Sequence, residues 1–149
     1  MNRRMGHPPQ AGRRYTVRPG AYAILPRQGS VLLTMQAGPE PEFQLPGGGI
    51  DPGESAIQAL HREVFEETGW RIARPRRIGV FRRFVYMPEY SLWAEKLCHI
   101  YVAWPALRIS APPEPEHEAF WLTRDAAVLA LGNDGDRHFL TRYLAGSAP

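Results

Sequence analysis

The sequence predicts an α/β fold in which helices pack against a mixed β-sheet. Strand-like segments occupy the first third of the chain, a long amphipathic segment follows, and further strand-like and helical segments complete it. At 149 residues with 44% hydrophobic content, the chain suits one domain with a substantial core. No apolar run approaches the ~20 residues that a membrane-spanning helix needs, so we expect no membrane partner.

Two strands and a short third segment open the predicted fold. GAYAILP (residues 20–26) and SVLLTMQ (residues 30–36) are the first two strands, and Arg27-Gln28-Gly29 is the turn between them. FQLPGGG (residues 43–49) is expected to be a short strand that ends in three glycines.

The segment from Glu54 to Thr68 is the clearest helix in the sequence. Pro52-Gly53 marks its start, Ser55 offers a capping oxygen, and Gly69 suits the position after the last turn. Helical periodicity groups an apolar stripe that faces the sheet, formed by Ile57, Leu60 and Val64.

The second half of the chain predicts more strands and then two helices. RRIGVFRRFVY (residues 76–86) and KLCHIYVAW (residues 96–104) are strands, and the aromatic-rich segment 87–95 is the loop between them. AFWL (residues 119–122) is a short strand. Thr123 can cap the first of the two helices, and Asn133 can cap the second. We expect Trp104 and Trp121 to lie in the core.

The composition also bears on the compartment and the partners of the protein. The single cysteine, Cys98, cannot form an internal disulfide, so we expect a reducing, cytoplasmic location. The net charge of +3 permits anionic ligands but makes nucleic acid an unlikely partner. Residues 1–14 are basic and lack an apolar run, so we interpret them as a flexible tail before a domain of residues 15–146, rather than as a signal peptide.

Three glutamates are concentrated in the segment HREVFEETG (residues 61–69). On a helix, Glu63, Glu66 and Glu67 share one side, at the edge of the apolar stripe. Close like charges in a part-buried position repel by as much as ~4 kcal/mol at an effective dielectric constant near 20. A divalent cation would reverse this repulsion, so the cluster predicts a metal site.

The acidic cluster is part of a longer pattern. The stretch GGIDPGESAIQALHREVFEETGW (residues 48–70) resembles the Nudix box, in which a glycine, a glutamate and the arginine–glutamate cluster recur at fixed spacing. The matching positions are Gly48, Glu54, Arg62, Glu63, Val64, Glu66, Glu67, Gly69 and Trp70.

The resemblance implies a fold and a reaction. The fold is an α/β/α sandwich around a mixed β-sheet. The reaction is hydrolysis of the pyrophosphate linkage in a nucleoside diphosphate derivative, in which water attacks phosphorus with the help of Mg²⁺ or Mn²⁺. The implied substrate is a small nucleotide, and by analogy with other Nudix proteins a homodimer is possible.

The resemblance also assigns roles to the residues of the box. Glu66 and Glu67 are implied to be metal ligands, and Glu63 is either a ligand or the base that activates water. Arg62 orients a carboxylate. The carbonyl oxygen of Gly47 is a further implied ligand. The remaining positions shape or support the loop before the helix and the end of the helix: Gly48, Glu54 and Gly69.

Nudix enzymes often add an acid from a later loop, and PEPEHEAFW (residues 113–121) offers three. We favour Glu116 as metal ligand or base, then Glu118, which is also a candidate for substrate contact; Glu114 is the third choice. For His117 we expect a structural or solvated role.

Several residues outside the box are candidates for substrate binding. Tyr86, Tyr90 and Trp93 either stack on a base or pack within a loop or subunit interface. Arg82 belongs to an arginine-rich stretch that is either a solvated face or a set of phosphate contacts.

Two other functions remain open at this point. The first is an RNA 5′-end pyrophosphohydrolase that uses the basic tail and the arginine stretch. The second is a non-catalytic nucleotide-sensing module on the same fold. Because this chain keeps every acid of the box, we favour the enzyme over the sensing module.

Overall fold

The computed structural model describes residues 3–37 and 41–146, which form nine strands and three helices. The strands are β1 (Arg3–Arg4), β2 (Thr16–Ile24), β3 (Pro26–Arg27), β4 (Ser30–Gln36), β5 (Glu42–Gln44), β6 (Gly47–Gly49), β7 (Trp70–Met87), β8 (Leu92–Arg108) and β9 (His117–Thr123). The helices are α1 (Ala56–Thr68), α2 (Arg124–Ala130) and α3 (Asp134–Gly146). Within the described ranges, no helix is long and apolar enough to cross a membrane.

The strands form two sheets. The first is a mixed five-stranded sheet in the order β1-β7-β8-β2-β6, in which β8 lies parallel to β2 and antiparallel to β7. The second is an antiparallel four-stranded sheet centred on β4, which pairs with β9 on one side and with β3 and β5 on the other. The prediction named only the mixed sheet, because which strands pair is a long-range property.

The helices cover both faces of the mixed sheet. Leu60 and Val64 of α1 pack in one apolar cluster with Ala21 and Ala23 of β2. On the other face, α2 and α3 pack in a second cluster, which contains Leu140. Successive strand residues point to opposite faces, so β2 contributes to both clusters. This arrangement confirms the predicted α/β/α sandwich.

Helix α1 begins and ends as its sequence predicts. The Ser55 hydroxyl accepts a hydrogen bond from the Gln58 amide, and the Gln58 side chain accepts one from the Ser55 amide, which makes a capping box. Gly69 ends the helix with φ 76°, a left-handed conformation that glycine adopts without strain. The expected burial of Ile57 is wrong: its side chain is 44% exposed, because Ala56 and not Ile57 packs against the apolar cluster in the first turn.

The β7–β8 hairpin is longer than the sequence predicts. The predicted loop 87–95 contracts to a 3-10 turn at Pro88–Tyr90 with Ser91, and β8 already begins at Leu92. The pairing of Tyr86 with Trp93 extends the ladder, and aromatic cross-strand pairs stabilise such pairing.

The core placement of two tryptophans is wrong. Trp104 is 48% exposed and Trp121 is 37% exposed. Trp104 lies near the far end of β8, and Trp121 packs one edge against Trp70 while its other side meets solvent.

The predicted tail makes contacts with the domain. Arg3 and Arg4 pair in parallel with β7, and the Met5 amide donates to the Arg82 carbonyl oxygen at 2.9 Å. The side chain of Met5 packs against the core on the α3 side. The flexibility of this segment in solution stays a prediction.

Candidate active site

A cleft of about 730 Å³ opens between the two sheets, beside α1. One wall carries carboxylates from α1 and from the segment before β9. The opposite side carries cations from β2, β7 and β8, and aromatic side chains of the β7–β8 turn form the rim. The glycines of β6 line the cleft next to the acids.

The acidic wall is built by α1. Glu63 and Glu67 line the cleft, and Glu66 lies on the same side of the helix at its edge. Burial raises the pKa of Glu63 and of Glu66, and nearby carboxylates add to the rise while the Arg62 guanidinium opposes it. Four carboxylates act on one another here, because Glu114 also raises the pKa of all three.

Glu67 is the most deeply buried of the acids, with a side chain only 5% exposed. Its Oε1 accepts hydrogen bonds from the Gly47 amide at 3.1 Å and from the Thr34 hydroxyl at 3.4 Å. Burial nevertheless raises its pKa well above the usual glutamate value. Keeping this buried carboxylate charged costs free energy, and a bound cation would offset that cost.

Arg62 connects the acids to the loop before the helix. Its Nε and Nη2 donate to both oxygens of Glu54, at 2.7 and 2.8 Å, in a bidentate pair. Its Nη1 donates to Glu63 at 2.9 Å and to Glu66 at 3.3 Å, and Nη2 also donates to the Gly49 carbonyl at 3.0 Å. The guanidinium therefore fixes the orientation of two acids at once.

Glu54 holds the loop to the helix. Its Oε1 also accepts a hydrogen bond from the Asp51 amide at 3.0 Å. The hydrogen bonds from Arg62 hold the pKa of Glu54 at about 2. The carboxylate is therefore charged at neutral pH and acts as a fixed anchor for Arg62.

The acid from outside the box that reaches the cluster is Glu114. Its amide donates to the Glu66 carbonyl at 3.1 Å, and a carboxylate oxygen lies within 4.8 Å of ligand atoms of Glu67 and His117. Glu116 lines the cleft but is exposed. The geometry therefore favours Glu114 over Glu116 for the role that we predicted for the outside acid.

Alternation along β9 explains where Glu118 and His117 lie. Phe120 packs against Phe43 of the second sheet, and Glu118 shares that face of the strand. His117 shares the opposite face with Ala119, which packs in the α1 cluster. Glu118 thus points away from the acids, whereas His117, for which we expected a structural or solvated role, lies among them. In the sequence, the apolar Phe120 two residues after Glu118 was the signal that these two side chains share a face of β9.

The basic side of the cleft carries Lys96, Arg83 and Arg18. Lys96 is part-buried with its Nζ 5.5 Å from the ring centre of Tyr22, and the interaction with Tyr22 raises the Lys96 pKa. Burial raises the pKa of Tyr22 to about 12. Lys96 therefore contributes a positive charge to the lining of the cleft.

Arg83 rather than Arg82 lines this cleft. The two residues are neighbours on β7 and point to opposite faces. Arg82 forms an ion pair with Glu95 at 3.2 Å. The substrate contact that we predicted for Arg82 stays a prediction, and Arg83 is the arginine of β7 that lines the cleft.

Three aromatic side chains lie together at the rim. Tyr86 and Tyr90 line the cleft, and Trp93 packs behind Tyr86 with ring centres 5.1 Å apart. The Arg18 guanidinium lies 4.4 Å from the centre of the Tyr90 ring, and Arg13 lies 3.6 Å from the centre of the Trp93 ring. The three predicted aromatic residues therefore form one patch, of which two members face the cleft.

The sequence of the chain also matches a known protein family. A model of the NUDIX domain matches residues 14–143 of the chain. The chain belongs to the Nudix family.

Two curated relatives of this Nudix chain carry names of nucleotide hydrolases. A Bacillus subtilis protein, provisionally named 8-oxo-dGTP diphosphatase, is 39% identical over 74 residues, which is 50% of this chain and 50% of that protein. An RNA pyrophosphohydrolase of Cronobacter sakazakii is 52% identical over 62 residues, which is 42% of this chain and 34% of that protein. The chain thus spans half or less of the length of these relatives.

Solved Nudix structures share the fold over most of the chain. A NUDIX hydrolase from Nitrosomonas europaea superposes with a TM-score of 0.71 at 21% identity, covering 88% of this chain and 90% of the other. A MutT NUDIX hydrolase from Burkholderia pseudomallei gives a TM-score of 0.65 at 25% identity, covering 85% and 97%.

Nudix enzymes use divalent metal ions, and the residues of this cleft fit such an ion. Ligand atoms of Glu67, Glu114 and His117 lie close enough together to hold one ion, and carboxylate oxygens are hard ligands of the kind that Mg²⁺ and Mn²⁺ prefer. A Cβ added at Gly48 would lie 2.5 Å from the Glu63 carboxyl carbon, so the glycine loop closes directly against these acids.

Proposed function

We propose that this Nudix protein hydrolyses the pyrophosphate linkage of a small nucleoside diphosphate derivative with the help of a divalent metal ion. One observation carries the proposal. The carboxylates of Glu63, Glu67 and Glu114 line the same cleft as the cations Lys96, Arg83 and Arg18. Arg62 holds a fourth carboxylate, that of Glu66, beside Glu63. Such a cleft suits a ligand whose phosphates bind a metal ion held by the acids and whose other polar groups contact the basic side chains.

The acids and Arg62 divide the chemical work. A bound divalent ion would neutralise phosphate charge and lower the pKa of attacking water. We assign Glu66, Glu67 and Glu114 to holding the ion, together with the Gly47 carbonyl. Arg62 orients Glu63 and Glu66, through the hydrogen bonds described above.

Glu63 is the group that we assign as the base. Water attacks one phosphorus, its proton passes to the Glu63 carboxylate, and the bridging P–O bond breaks with its electron pair going to the leaving phosphate. Burial raises the pKa of Glu63, which brings it closer to the range that suits a general base. The pair with Arg62 Nη1 at 2.9 Å fixes its direction.

The rest of the cleft suits a nucleoside. Tyr86 and Tyr90 offer ring faces at the rim, where a base can stack. Lys96 and Arg83 can contact phosphate or the oxo groups of a base. The relative named for 8-oxo-dGTP makes nucleoside triphosphates, oxidised and unmodified, the first group to test.

The test is a panel of nucleotides assayed with Mg²⁺ and with Mn²⁺, with both products identified. We expect Glu67→Gln to remove turnover of every active substrate, while Asp125→Asn, which removes an exposed acid on α2, leaves it unchanged. Unchanged turnover in Glu67→Gln would refute the site. Tight nucleotide binding without phosphate release, with metal present, would support the sensing module instead.

A second candidate function is RNA 5′-end pyrophosphohydrolysis. Relatives of that name are 52% identical over 46 to 62 residues. The tail also brings the Arg13 guanidinium onto the Trp93 ring beside the cleft rim, and arginine and aromatic side chains together suit single-stranded RNA. The measurement is turnover of 5′-triphosphorylated RNA at several salt concentrations. Loss of RNA turnover but not of mononucleotide turnover on deletion of residues 1–14 would favour this function.

The location and assembly of the protein belong to the same proposal. We propose a cytoplasmic location, which fits the buried, unpaired thiol of Cys98. A homodimer stays a prediction by family analogy, and light scattering coupled to size-exclusion chromatography measures it directly.

A further inference from the structure

His117 occupies an unusual position for a histidine. It is the first residue of β9, its side chain is only 7% exposed, and each ring nitrogen faces a carboxylate. Nε2 lies 3.5 Å from Glu67 Oε2, and Nδ1 lies 2.7 Å from Glu114 Oε2. The imidazole therefore stands between the most buried acid of α1 and the acid from outside the box.

The short contact at Nδ1 is not a hydrogen bond. Although Nδ1 and the Glu114 oxygen are 2.7 Å apart, their directions do not fit one, and Nδ1 is a buried atom with no hydrogen-bond partner among the described residues. A buried polar atom without a partner costs ~1–3 kcal/mol. Such an atom calls for a ligand that the side chains alone do not supply.

The separations fit atoms that share a cation. Two ligand atoms bound at right angles, each ~2.1 Å from one ion, lie ~3 Å apart. The 2.7 Å between Nδ1 and Glu114 Oε2 is close to this value, whereas Nε2, the other ring nitrogen, faces Glu67 Oε2 at 3.5 Å. Ligand atoms of Glu67, Glu114 and His117 all lie within 4.8 Å of one another, which is close enough for one ion.

We propose that His117 is a nitrogen ligand of the metal site, together with Glu67 and Glu114, and that it shifts the site's preference from Mg²⁺ towards Mn²⁺. This inference rests on the proposed function. Nδ1, the nitrogen without a hydrogen-bond partner, would bind the ion beside Glu114. Nε2 faces Glu67 and can donate to its carboxylate, which fixes the orientation of the ring.

The preference follows from ligand chemistry. Mg²⁺ is a hard ion that takes oxygen ligands and retains water, whereas imidazole suits first-row transition ions. A site of carboxylates alone would discriminate less between the two ions. The nitrogen should therefore add to the affinity for Mn²⁺ and add little to that for Mg²⁺.

The experiment is pulsed electron paramagnetic resonance of the full chain loaded with Mn²⁺, without any nucleotide. A coordinated imidazole produces ¹⁴N modulation of the electron spin echo, which changes when the protein is labelled with [¹⁵N]histidine. We expect this modulation in the wild type and in His61→Gln, an exposed histidine of α1, and we expect its loss in His117→Gln. Titrations should show a ~10- to 100-fold loss of Mn²⁺ affinity in His117→Gln and a much smaller loss for Mg²⁺.

The outcomes separate this inference from the proposed function. Bound Mn²⁺ without nitrogen modulation in the wild type would overturn the His117 assignment, and so would modulation that survives in His117→Gln. The wild-type isotope comparison decides the matter even if the variant fails to fold. Hydrolysis of nucleotides with Mg²⁺ would still support the proposed function in either case, whereas absence of hydrolysis with every metal would refute that function alone.

Discussion

Gly48 packs against the carboxyl group of Glu63, with no room for a side chain between them. A Cβ at Gly48 would lie 2.5 Å from both Cδ and Oε2 of Glu63, and 2.9 Å from Oε1. The glycine loop and the acidic helix are therefore fitted to each other at the point where the chemistry is proposed.

Gly48→Ala should impair catalysis more than stability. The clash falls on the end of a flexible side chain, so Glu63 can move aside, but it then leaves the position that Arg62 fixes. We expect kcat to fall by ~10- to 100-fold, as for other changes that disturb ligand orientation, with a small change in Tm.

Gly49→Ala is the matched control for that variant. An added Cβ at Gly49 meets nothing within 4 Å, and the carbonyl that accepts from Arg62 remains. Equal kinetic losses in Gly48→Ala and Gly49→Ala would contradict the close fit of the loop to Glu63.

Glu114→Gln and Glu116→Gln distinguish the two acids of the late loop. Glu114 lies in the cluster with Glu67 and His117, whereas Glu116 is exposed at the cleft edge. We expect Glu114→Gln to lower metal affinity and kcat by ~10- to 100-fold and Glu116→Gln to change both by less than ~3-fold. Steady-state kinetics and Mn²⁺ titration measure this, and the reverse order would restore our original preference for Glu116.

Arg62→Lys should reduce activity although it keeps the positive charge. Lysine cannot donate in parallel to both oxygens of Glu54 and still reach Glu63 and Glu66, because an ammonium group lacks the planar fork of arginine. We expect a ~10- to 100-fold loss of kcat/KM, which metal titration should trace to weaker binding. Wild-type kinetics in this variant would show that the acids are positioned without the arginine. Arg27→Lys, at an exposed position at the end of β3, is the control.

The pH dependence of stability should report Asp136. This buried residue of α3 accepts a hydrogen bond from the Leu45 amide at 3.1 Å, and burial raises its pKa. The folded state therefore holds the proton at higher pH than the unfolded state does. Its contribution to the free energy of unfolding is full below the usual aspartate pKa of ~3.9 and is lost as pH rises through the raised folded pKa.

Asp136→Asn should remove this decline, since an amide does not titrate and its oxygen can still accept from Leu45. Each unit of pKa shift corresponds to ~1.4 kcal/mol. Urea denaturation of both proteins from pH 4 to pH 8 measures the difference, with Asp125→Asn as an exposed control. Parallel pH profiles for Asp136→Asn and the wild type would contradict the assignment.

Local patterns in the sequence were sufficient for the helix and for its acids. Ser55, Gly69 and the spacing of Glu63, Glu66 and Glu67 act within a few residues of one another, so capping and periodicity could be deduced without the fold. The strands that carry Val31 and Ile100 could be found in the same way, because their apolar residues are consecutive or alternate.

Side chains that depend on strand register were harder to place. The pairing of β7 with β8 shifts at three points, between Arg71 and Gly79, and each shift changes which residues of the two strands lie opposite each other. Arg83 instead of Arg82, and His117 instead of Glu118, are consequences of register. The exposure of Trp104 depends on which part of the sheet a helix covers, and that too is set by residues distant in the sequence.

The sequence by itself therefore determined the family, the helix that carries the acids, and the caps at its two ends. Only the tertiary structure decided that Glu114 and His117 lie beside Glu67 and that Lys96 lines the same cleft. The physical reason is that helix periodicity and capping depend on neighbours along the chain, whereas the direction of a strand side chain depends on a partner strand that can be tens of residues away.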